Sequence, residues 1–263
     1  MDTSFEKYGT GWSREETILA LYLYCQLPFA KTKRTTPEVI ELANVIGRTP
    51  SAVARKLGNF GPFDQNLAKQ GIKGLTHYSK LDKQIWDEFS QNWDSLVDLA
   101  QDLMSRYKLD EQDWLEESTN LPRKNASLLV TEVETTTLVR KGQGFFRRAV
   151  LSSYNQQCCI CGLDLKQLLI ASHIVPWSVR EETRLDPQNG LSLCVLHDKL
   201  FDTGLLTLDD SLKVKISHNV NSSTSNVTQQ LILAYQGKLI LLPTRFVPKS
   251  EYLDWHRQNV FVM

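Results

Sequence analysis

Two histidines and one asparagine in the C-terminal half have the types and the order of a hydrolytic site. His173 ends an apolar segment typical of a strand, Asn189 ends a turn region, and His197 lies near the start of a short helix. This order brings one imidazole opposite another, beside an amide. It suits one divalent metal ion held against a phosphate, with a second imidazole to activate water. The pattern predicts metal-dependent phosphodiester hydrolysis.

The sequence around these residues resembles a known family. His173 is followed by Ile-Val-Pro, and three further segments match the family pattern: FRRAVL, D-x-x-NGLSL and HDKLFDTGLL, at 146–151, 186–193 and 197–206. With these features the chain resembles the HNH endonuclease superfamily, whose fold is the ββα-metal finger. Within that superfamily it is similar to the prokaryotic HNH proteins of the restriction type.

The resemblance implies a role for each residue of the motif. His173 would be the general base that deprotonates the attacking water, and Asn189 would fix the loop that orients this base. His197 would be a ligand of the divalent metal. The implied metal is Mg²⁺, with Mn²⁺ as a substitute.

One position departs from the family pattern. Many members carry an acidic or histidine metal ligand just before the base, whereas this chain has Ser172 there. The predicted metal shell is therefore one ligand short. We expect Asp202 to complete it, while Asp198, water and substrate oxygens remain alternatives.

The cysteines permit a second, structural metal. Cys158 and Cys161 form C-x-x-C, and with Cys194 their spacing resembles the zinc knuckle of some HNH proteins. The fourth ligand would have to be His197, which the catalytic metal needs. We therefore expect buried reduced thiols rather than bound Zn²⁺. An odd total of five cysteines also suits a reducing compartment, so a cytoplasmic protein is predicted.

The N-terminal half has features typical of DNA binding. Ala43, Gly47 and Val53 have the spacing of a helix-turn-helix, and Trp12 stands where a Myb-like helical domain would begin. Residues 30–75 hold eight Lys or Arg against three acids. The expected DNA-binding residues are Arg48, Ser51, Arg55 and Lys56, and on the helix before the finger Arg147 and Arg148. The alternative is a helical bundle that makes protein contacts.

These observations predict an α+β protein with two domains. An all-α, helix-turn-helix or Myb-like domain is expected at 1–109, an acidic and polar linker at 110–127, and an HNH nuclease domain with flanking β-hairpins at 128–263. Hairpins are expected at 205–216 and 231–242, and residues 126–138 are rich in Val, Leu and Thr.

Composition narrows the function further. The chain has 263 residues, 41% of them hydrophobic, and its 30 basic and 30 acidic residues cancel, so any nucleic acid must be engaged by a local patch. The prediction is a metal-dependent endonuclease that acts on double-stranded DNA in restriction-type defence against foreign or modified DNA, as a homodimer on substrate. The alternatives are an inactive HNH-fold DNA-binding regulator and, more weakly supported, a toxin-type nuclease that acts on RNA.

Overall fold

The computed structural model describes residues 7, 9–64, 66–67, 71, 77–107, 109, 133–221 and 223–263. The chain divides into two compact units, residues 1–149 and 150–263. The described part of the first unit is helical, and the second unit combines short helices with two-stranded sheets. The mixed α and β content predicted from the sequence is confirmed.

The first unit is organised around its first helix. Ser13 and Glu16 form a capping box, and the helix that follows is almost completely buried. It packs against the helices that flank it in space. The described helices of this part of the chain are α1 (Arg14–Gln26), α2 (Pro37–Ile46), α3 (Pro50–Phe60), α4 (Lys80–Phe89), α5 (Trp93–Arg106) and α6 (Val133–Ser153).

The predicted helix, turn and helix at the candidate DNA-binding segment is present. Gly47 ends α2 with a φ of 71°, a conformation that glycine adopts at no steric cost. Thr49 then caps α3 by accepting from the backbone N–H of Ala52, and Pro50 occupies the first helical position. The assignment of this pair as a DNA-reading helix-turn-helix stays a prediction.

Two buried ion pairs connect these helices. Glu16 accepts from Arg48, and Asp82 accepts from Lys56 and from the side-chain amide of Asn59. Burial opposes the charge of Asp82, but the ammonium of Lys56 holds its pKa below the ordinary value. The interactions join α1 to the start of α3, and α3 to α4.

The ion pairs correct part of the predicted DNA-binding set. Arg48 and Lys56 are only 5% and 4% exposed, because each is held by a buried carboxylate. These two side chains therefore cannot extend into a groove of DNA without leaving an uncompensated buried charge. Ser51 and Arg55 are exposed on the same helix.

The predicted linker lies outside the described part of the chain, which omits residues 110–132. Residues 133–138, where the richness in Val, Leu and Thr favoured a strand, belong to the helix α6. Phe145 stacks on Tyr22 at 5.3 Å between ring centroids, which ties this helix to α1 within the first unit. The division into two compact units falls after residue 149, and the predicted domain bounds stay a prediction.

The two arginines of α6 are also less available than predicted. The guanidinium of Arg148 donates to the side-chain oxygen of Gln26. Arg147 is half-buried, and this burial lowers its pKa. Their predicted contact with DNA phosphates stays a prediction, but part of their surface is used within the first unit.

The second unit contains two antiparallel hairpins and several short helices. The hairpin predicted at 205–216 is confirmed, with its turn at Asp209 and Asp210. The hairpin predicted at 231–242 is wrong, because this segment contains a 3₁₀ turn and a single bridge from Leu239 to Lys213. The elements are β1 (Leu169–His173), β2 (Gly190–Cys194), α7 (Val195–Asp202), β3 (Leu206–Leu208), β4 (Val214–Ile216), α8 (His218–Asn221), α9 (Asn226–Leu231) and α10 (Ser250–Asn259).

A membrane span was not expected from the sequence. Among the residues that the structure describes, every helix is too short or too polar to cross a bilayer.

The buried pair of Lys56 and Asp82 leads to a stability prediction. Lys56→Ala should lower the free energy of unfolding of the first unit by about 3 kcal/mol, because it leaves the Asp82 carboxylate buried without its cation. Urea unfolding followed by helical circular dichroism measures this change. The matched control is Lys83→Ala, which breaks an exposed pair with Asp87 on α4 and should cost less than about 1 kcal/mol. Equal losses in the two variants would contradict the assigned role of the buried pair.

Candidate active site and cysteine-histidine cluster

The β1–β2 hairpin and α7 carry the residues of the predicted motif. His173, at the end of β1, pairs with Gly190 at the start of β2, and Leu169 pairs with Cys194 at the other end of the hairpin. Asn189 lies immediately before β2, and α7 begins immediately after it. Strand, loop, strand and helix thus follow each other in the order predicted from the sequence.

Asn189 closes the loop between the two strands. Its side chain is fully buried, and its Oδ1 accepts from the backbone N–H of Val175 at 2.8 Å. Its Nδ2 donates to the carbonyl oxygens of Val175, at 3.0 Å, and Thr183, at 3.2 Å. The backbone carbonyl of Asn189 also accepts from Ile174. The amide therefore fixes the backbone that directly follows His173.

The ring of His173 is oriented by the same loop. Its Nε2 lies 3.0 Å from the carbonyl oxygen of Arg184, which can only accept, so Nε2 carries the proton of the neutral ring and Nδ1 carries the lone pair. Burial lowers the pKa of His173 despite this hydrogen bond. The edge of the ring meets Trp177 at 5.6 Å between centroids. A neutral imidazole with a defined tautomer has the properties of a general base.

A cavity of about 290 Å³ joins His173 to two carboxylates of α7. Asp198 and Asp202 line this cavity together with Ser172, His173 and Trp177. The carboxylates are four residues apart, so they lie on the same side of the helix. Asp202 thus occupies the region where we expected it, and Asp198, which the sequence left as an alternative, occupies it too.

The pKa values of both carboxyls are raised. Burial raises the pKa of Asp198, although the neighbouring Ser172 hydroxyl opposes this shift. Partial desolvation and the nearby charge of Asp198 raise the pKa of Asp202. A divalent cation between the carboxylates would remove this repulsion, and oxygen ligands are those that Mg²⁺ and Mn²⁺ prefer. The residues present fit such an ion.

His197 lies elsewhere, with the cysteines. Its Nδ1 is 3.1 Å from Cys194 Sγ and 3.5 Å from Cys158 Sγ, and the Sγ atoms of Cys161 and Cys194 are 3.9 Å apart. One ligand atom from each of the four residues lies within 4.8 Å of all the others. The cysteine-histidine cluster, as we call these four residues, could hold one metal ion.

This position corrects two expectations. His197 was expected to bind the metal at the phosphate, and that expectation was the reason for predicting no zinc. The Nε2–H of His197 donates to the Leu231 carbonyl at 3.2 Å, so its lone pair on Nδ1 points at the thiols. His197 is therefore available as the fourth ligand of the cluster, and its neighbour Asp198 faces the cavity of His173 in its place. The C-x-x-C and C-x-x-H spacings contain this signal.

The protons of the cluster are strongly coupled. Hydrogen bonds with Cys158 and Cys161 lower the pKa of the Cys194 thiol. Burial opposes protonation of His197, but the sulfur atoms of Cys158 and Cys194 raise its pKa to about 9. The thiols and the imidazole lie so close together that they share few protons. A bound cation would take the place of these protons and stabilise the thiolates.

Local backbone structure shapes the cluster. Gly162 donates its N–H to the Cys158 carbonyl with a φ of 75°, and Cys158 donates to Leu163, so a tight turn brings Cys158 and Cys161 to one side. The ring of Tyr235 meets the edge of the His197 ring at 5.5 Å, interplanar angle 90°. The segment after α9 therefore covers the cluster.

Comparison with known proteins agrees with this geometry. A sequence model of the family described as HNH endonuclease matches residues 158–209. This range includes the C-x-x-C pair, the C-x-x-H pair, the β1–β2 hairpin and α7. This region is an HNH endonuclease domain. A search of curated proteins found no match.

One solved structure is similar at low level. It is the modification dependent TagI restriction endonuclease, at 22% identity and a TM-score of 0.30. The match covers 44% of this chain and 37% of that protein, so this chain spans well under half of its length.

The hydrogen bonds of Asn189 give a prediction for the HNH domain. Asn189→Asp has the same shape but places a carboxylate against the carbonyls of Val175 and Thr183, so at pH 7.5 it should lower the free energy of unfolding by about 3 kcal/mol. The carboxyl is destabilised when charged, so its pKa is raised in the folded state. The variant therefore loses stability as the pH rises and its carboxyl ionises. Its deficit in the free energy of unfolding relative to wild type should be smaller at pH 4.5 than at pH 7.5.

Urea unfolding at both pH values measures this deficit. The matched control is Asn226→Asp, at an exposed position of α9, which should change stability little at either pH. A deficit for Asn189→Asp that is the same at both pH values would contradict the assigned hydrogen bonds.

Proposed function

We propose that the HNH domain is a metal-dependent endonuclease that hydrolyses phosphodiester bonds of DNA. The observation that carries the proposal is the cavity that combines the neutral imidazole of His173 with the carboxylates of Asp198 and Asp202. It contains one base and one oxygen-rich cation site, which are the two components of single-metal phosphodiester hydrolysis. Family membership of residues 158–209 supports the same chemistry.

Each residue of the cavity has a defined task in this proposal. His173 takes a proton from the attacking water at Nδ1, since its Nε2–H is held by Arg184. Asp198 and Asp202 would hold Mg²⁺ or Mn²⁺, which would stabilise the charge that develops on the phosphate and the leaving oxygen. Asn189 is a positioning residue, because its side chain bonds the backbone of the loop and the hydroxyl of Thr183. The resemblance to HNH enzymes implies a 5′-phosphate product.

We further propose that the cysteine-histidine cluster binds one structural Zn²⁺. Three thiolates and one imidazole are the ligands of a closed zinc site, and thiolates favour zinc over magnesium. The four ligand atoms are already close together within the described structure. Zinc at this place would join the turn at Cys158, the end of β2 and the first turn of α7.

The biological role belongs to the same proposal. Similarity to restriction-type HNH proteins supports defence against foreign or modified DNA. With one catalytic cavity in each chain, cleavage of both strands is easiest for two chains acting together, so the homodimer on substrate stays a prediction.

An inactive DNA-binding regulator is the second candidate. The observation that favours it is Ser172, which stands where many family members have a metal ligand. It predicts that the protein binds DNA and cleaves none under any metal condition.

The catalytic proposal is tested with a supercoiled plasmid, Mg²⁺ or Mn²⁺, and purified variants. His173→Ala and Asp198→Asn should each lower the cleavage rate at least about 100-fold, because they remove the base and one metal ligand. The matched control is His218→Ala, an exposed histidine of α8 that does not line the cavity. It should leave the rate within about twofold. Wild-type protein that shifts DNA but does not cleave it would support the regulator instead.

The zinc proposal is tested by metal content, which does not depend on cleavage. Inductively coupled plasma mass spectrometry should find one zinc per chain in the wild-type protein. His197→Ala and Cys161→Ser should contain little zinc. His218→Ala, an exposed histidine of α8, is the control and should retain the zinc. Asp198→Asn should also retain it, since Asp198 faces the other cavity. A His197→Ala protein that keeps its zinc would contradict the assignment.

A further inference from the structure

The first unit contains a cavity that the catalytic proposal does not use. Its volume is about 610 Å³, which lies in the range of small-ligand sites. The exposed side of α3 contributes Ser51 and Arg55 to the lining, and Trp12 and Tyr78 line the cavity as well. Every residue of the lining belongs to the part of the chain that the structure describes.

The cavity carries a positive charge surplus. Four cationic side chains line it: Lys7, Arg48, Arg55 and Lys56. Glu16 pairs with both Lys7 and Arg48, and Asp82 pairs with Lys56, so two carboxylates compensate four cations. Arg55 is exposed, and within the described residues it makes no hydrogen bond or ion pair. The cavity is therefore suited to an anion.

The rings of Trp12 and Tyr78, which both line the cavity, have different surroundings. Arg48 and Lys56 both lie over the ring of Trp12, each 4.5 Å from its centroid, so this ring is occupied by the buried network. Tyr78 is 46% exposed, and the ring of Phe63 meets it at 4.6 Å with an interplanar angle of 68°. Tyr78 thus offers an aromatic surface, supported by Phe63, within the cavity that Arg55 also lines.

We propose that this cavity binds a nucleotide. Arg55 binds the phosphate, with Lys7 nearby, and Tyr78 stacks on the base. Two sources supply the same chemistry: a nucleotide unit of a DNA strand, or a free nucleotide. Only the first source rests on the proposed function, because it takes DNA as the substrate.

The test uses full-length protein with His173→Ala, so that DNA stays uncut, and deoxyadenosine 5′-monophosphate as the probe in isothermal titration calorimetry. Ser51→Glu and Arg55→Ala should each weaken nucleotide binding about tenfold or more, since one adds a repelling charge and the other removes the phosphate ligand. Deoxyadenosine, which lacks the phosphate, should bind at least about tenfold more weakly to the parent protein.

The variants are chosen so that unfolding cannot imitate the result. Ser51 lies in the first turn of α3, where a glutamate is favourable to the helix, so Ser51→Glu should melt no lower than the parent. Ser95→Glu, in the first turn of α5, and Arg34→Ala, at an exposed position, are the matched controls and should bind the nucleotide normally. Equal binding by Ser51→Glu and its control would overturn the proposal, as would the absence of nucleotide binding.

Competition with labelled duplex and single-stranded DNA separates the two sources. If the nucleotide displaces DNA and both variants weaken DNA binding, with a salt slope smaller by about one for Arg55→Ala, the ligand is part of the strand. If the variants lose the nucleotide but bind DNA like the controls, the ligand is a free nucleotide. Either result supports the cavity, and both are independent of cleavage, so a failure of the proposed nuclease activity would be recognised separately.

Discussion

The close contact of His197 with the three cysteines is the interaction on which the proposed active site of the second unit depends. The cluster joins the turn at Cys158, the end of β2 and the first turn of α7 at one point. In a helix, consecutive side chains point about 100° apart, so fixing His197 towards the sulfur atoms also fixes the direction of Asp198. One contact therefore orients the carboxylates of α7 towards the cavity of His173.

The loop that precedes β2 is held from a second direction by the C-terminal segment. The carboxylate of Asp186 accepts from Lys249 at 2.8 Å and from the hydroxyl of Tyr252 at 2.9 Å. Gln188 exchanges hydrogen bonds with the backbone of Val247 and Lys249. Burial and the charge of Asp186 raise the pKa of Tyr252 to about 12, so its hydroxyl stays a donor. Asn189 thus acts within a loop whose outer side is already fixed.

The sequence predicted the elements of the HNH domain better than the partners of individual side chains. The strand before His173, the turn at Asn189 and the helix after Cys194 followed from local patterns and from family resemblance. The choice between His197 and Asp198 did not, because adjacent residues have the same neighbours in sequence and differ only in the direction of the side chain. The C-x-x-H spacing pointed to Cys194, the nearest partner of His197, but the other two partners, Cys158 and Leu231, are more than thirty residues away.

The first unit shows the same limit with charge. From the sequence, Arg48 and Lys56 counted as available for DNA, because residues 30–75 hold only three acids. Their partners Glu16 and Asp82 lie on other helices, 32 and 26 residues away. Long-range ion pairs of this kind consume charge that a local count treats as free. Arg55 lines the cavity of the first unit without such a partner among the described residues, so a chain without net charge can still present a cationic site there.

Ser172 is the position that distinguishes the proposed nuclease from the DNA-binding regulator. The residues around it favour the nuclease. The residue is 4% exposed and shares the cavity with Asp198 and Asp202. A third carboxylate there would add repulsion to a pair of acids whose pKa values are already raised, that of Asp198 by burial and that of Asp202 by burial and the charge of Asp198. A serine hydroxyl instead favours the charged form of Asp198, which is the form that binds a cation. In the proposed site, Asp198 would stand where the family pattern places His197, and Asp202 would supply the oxygen ligand that β1 lacks. Both metal ligands would then belong to α7, beside one base on β1.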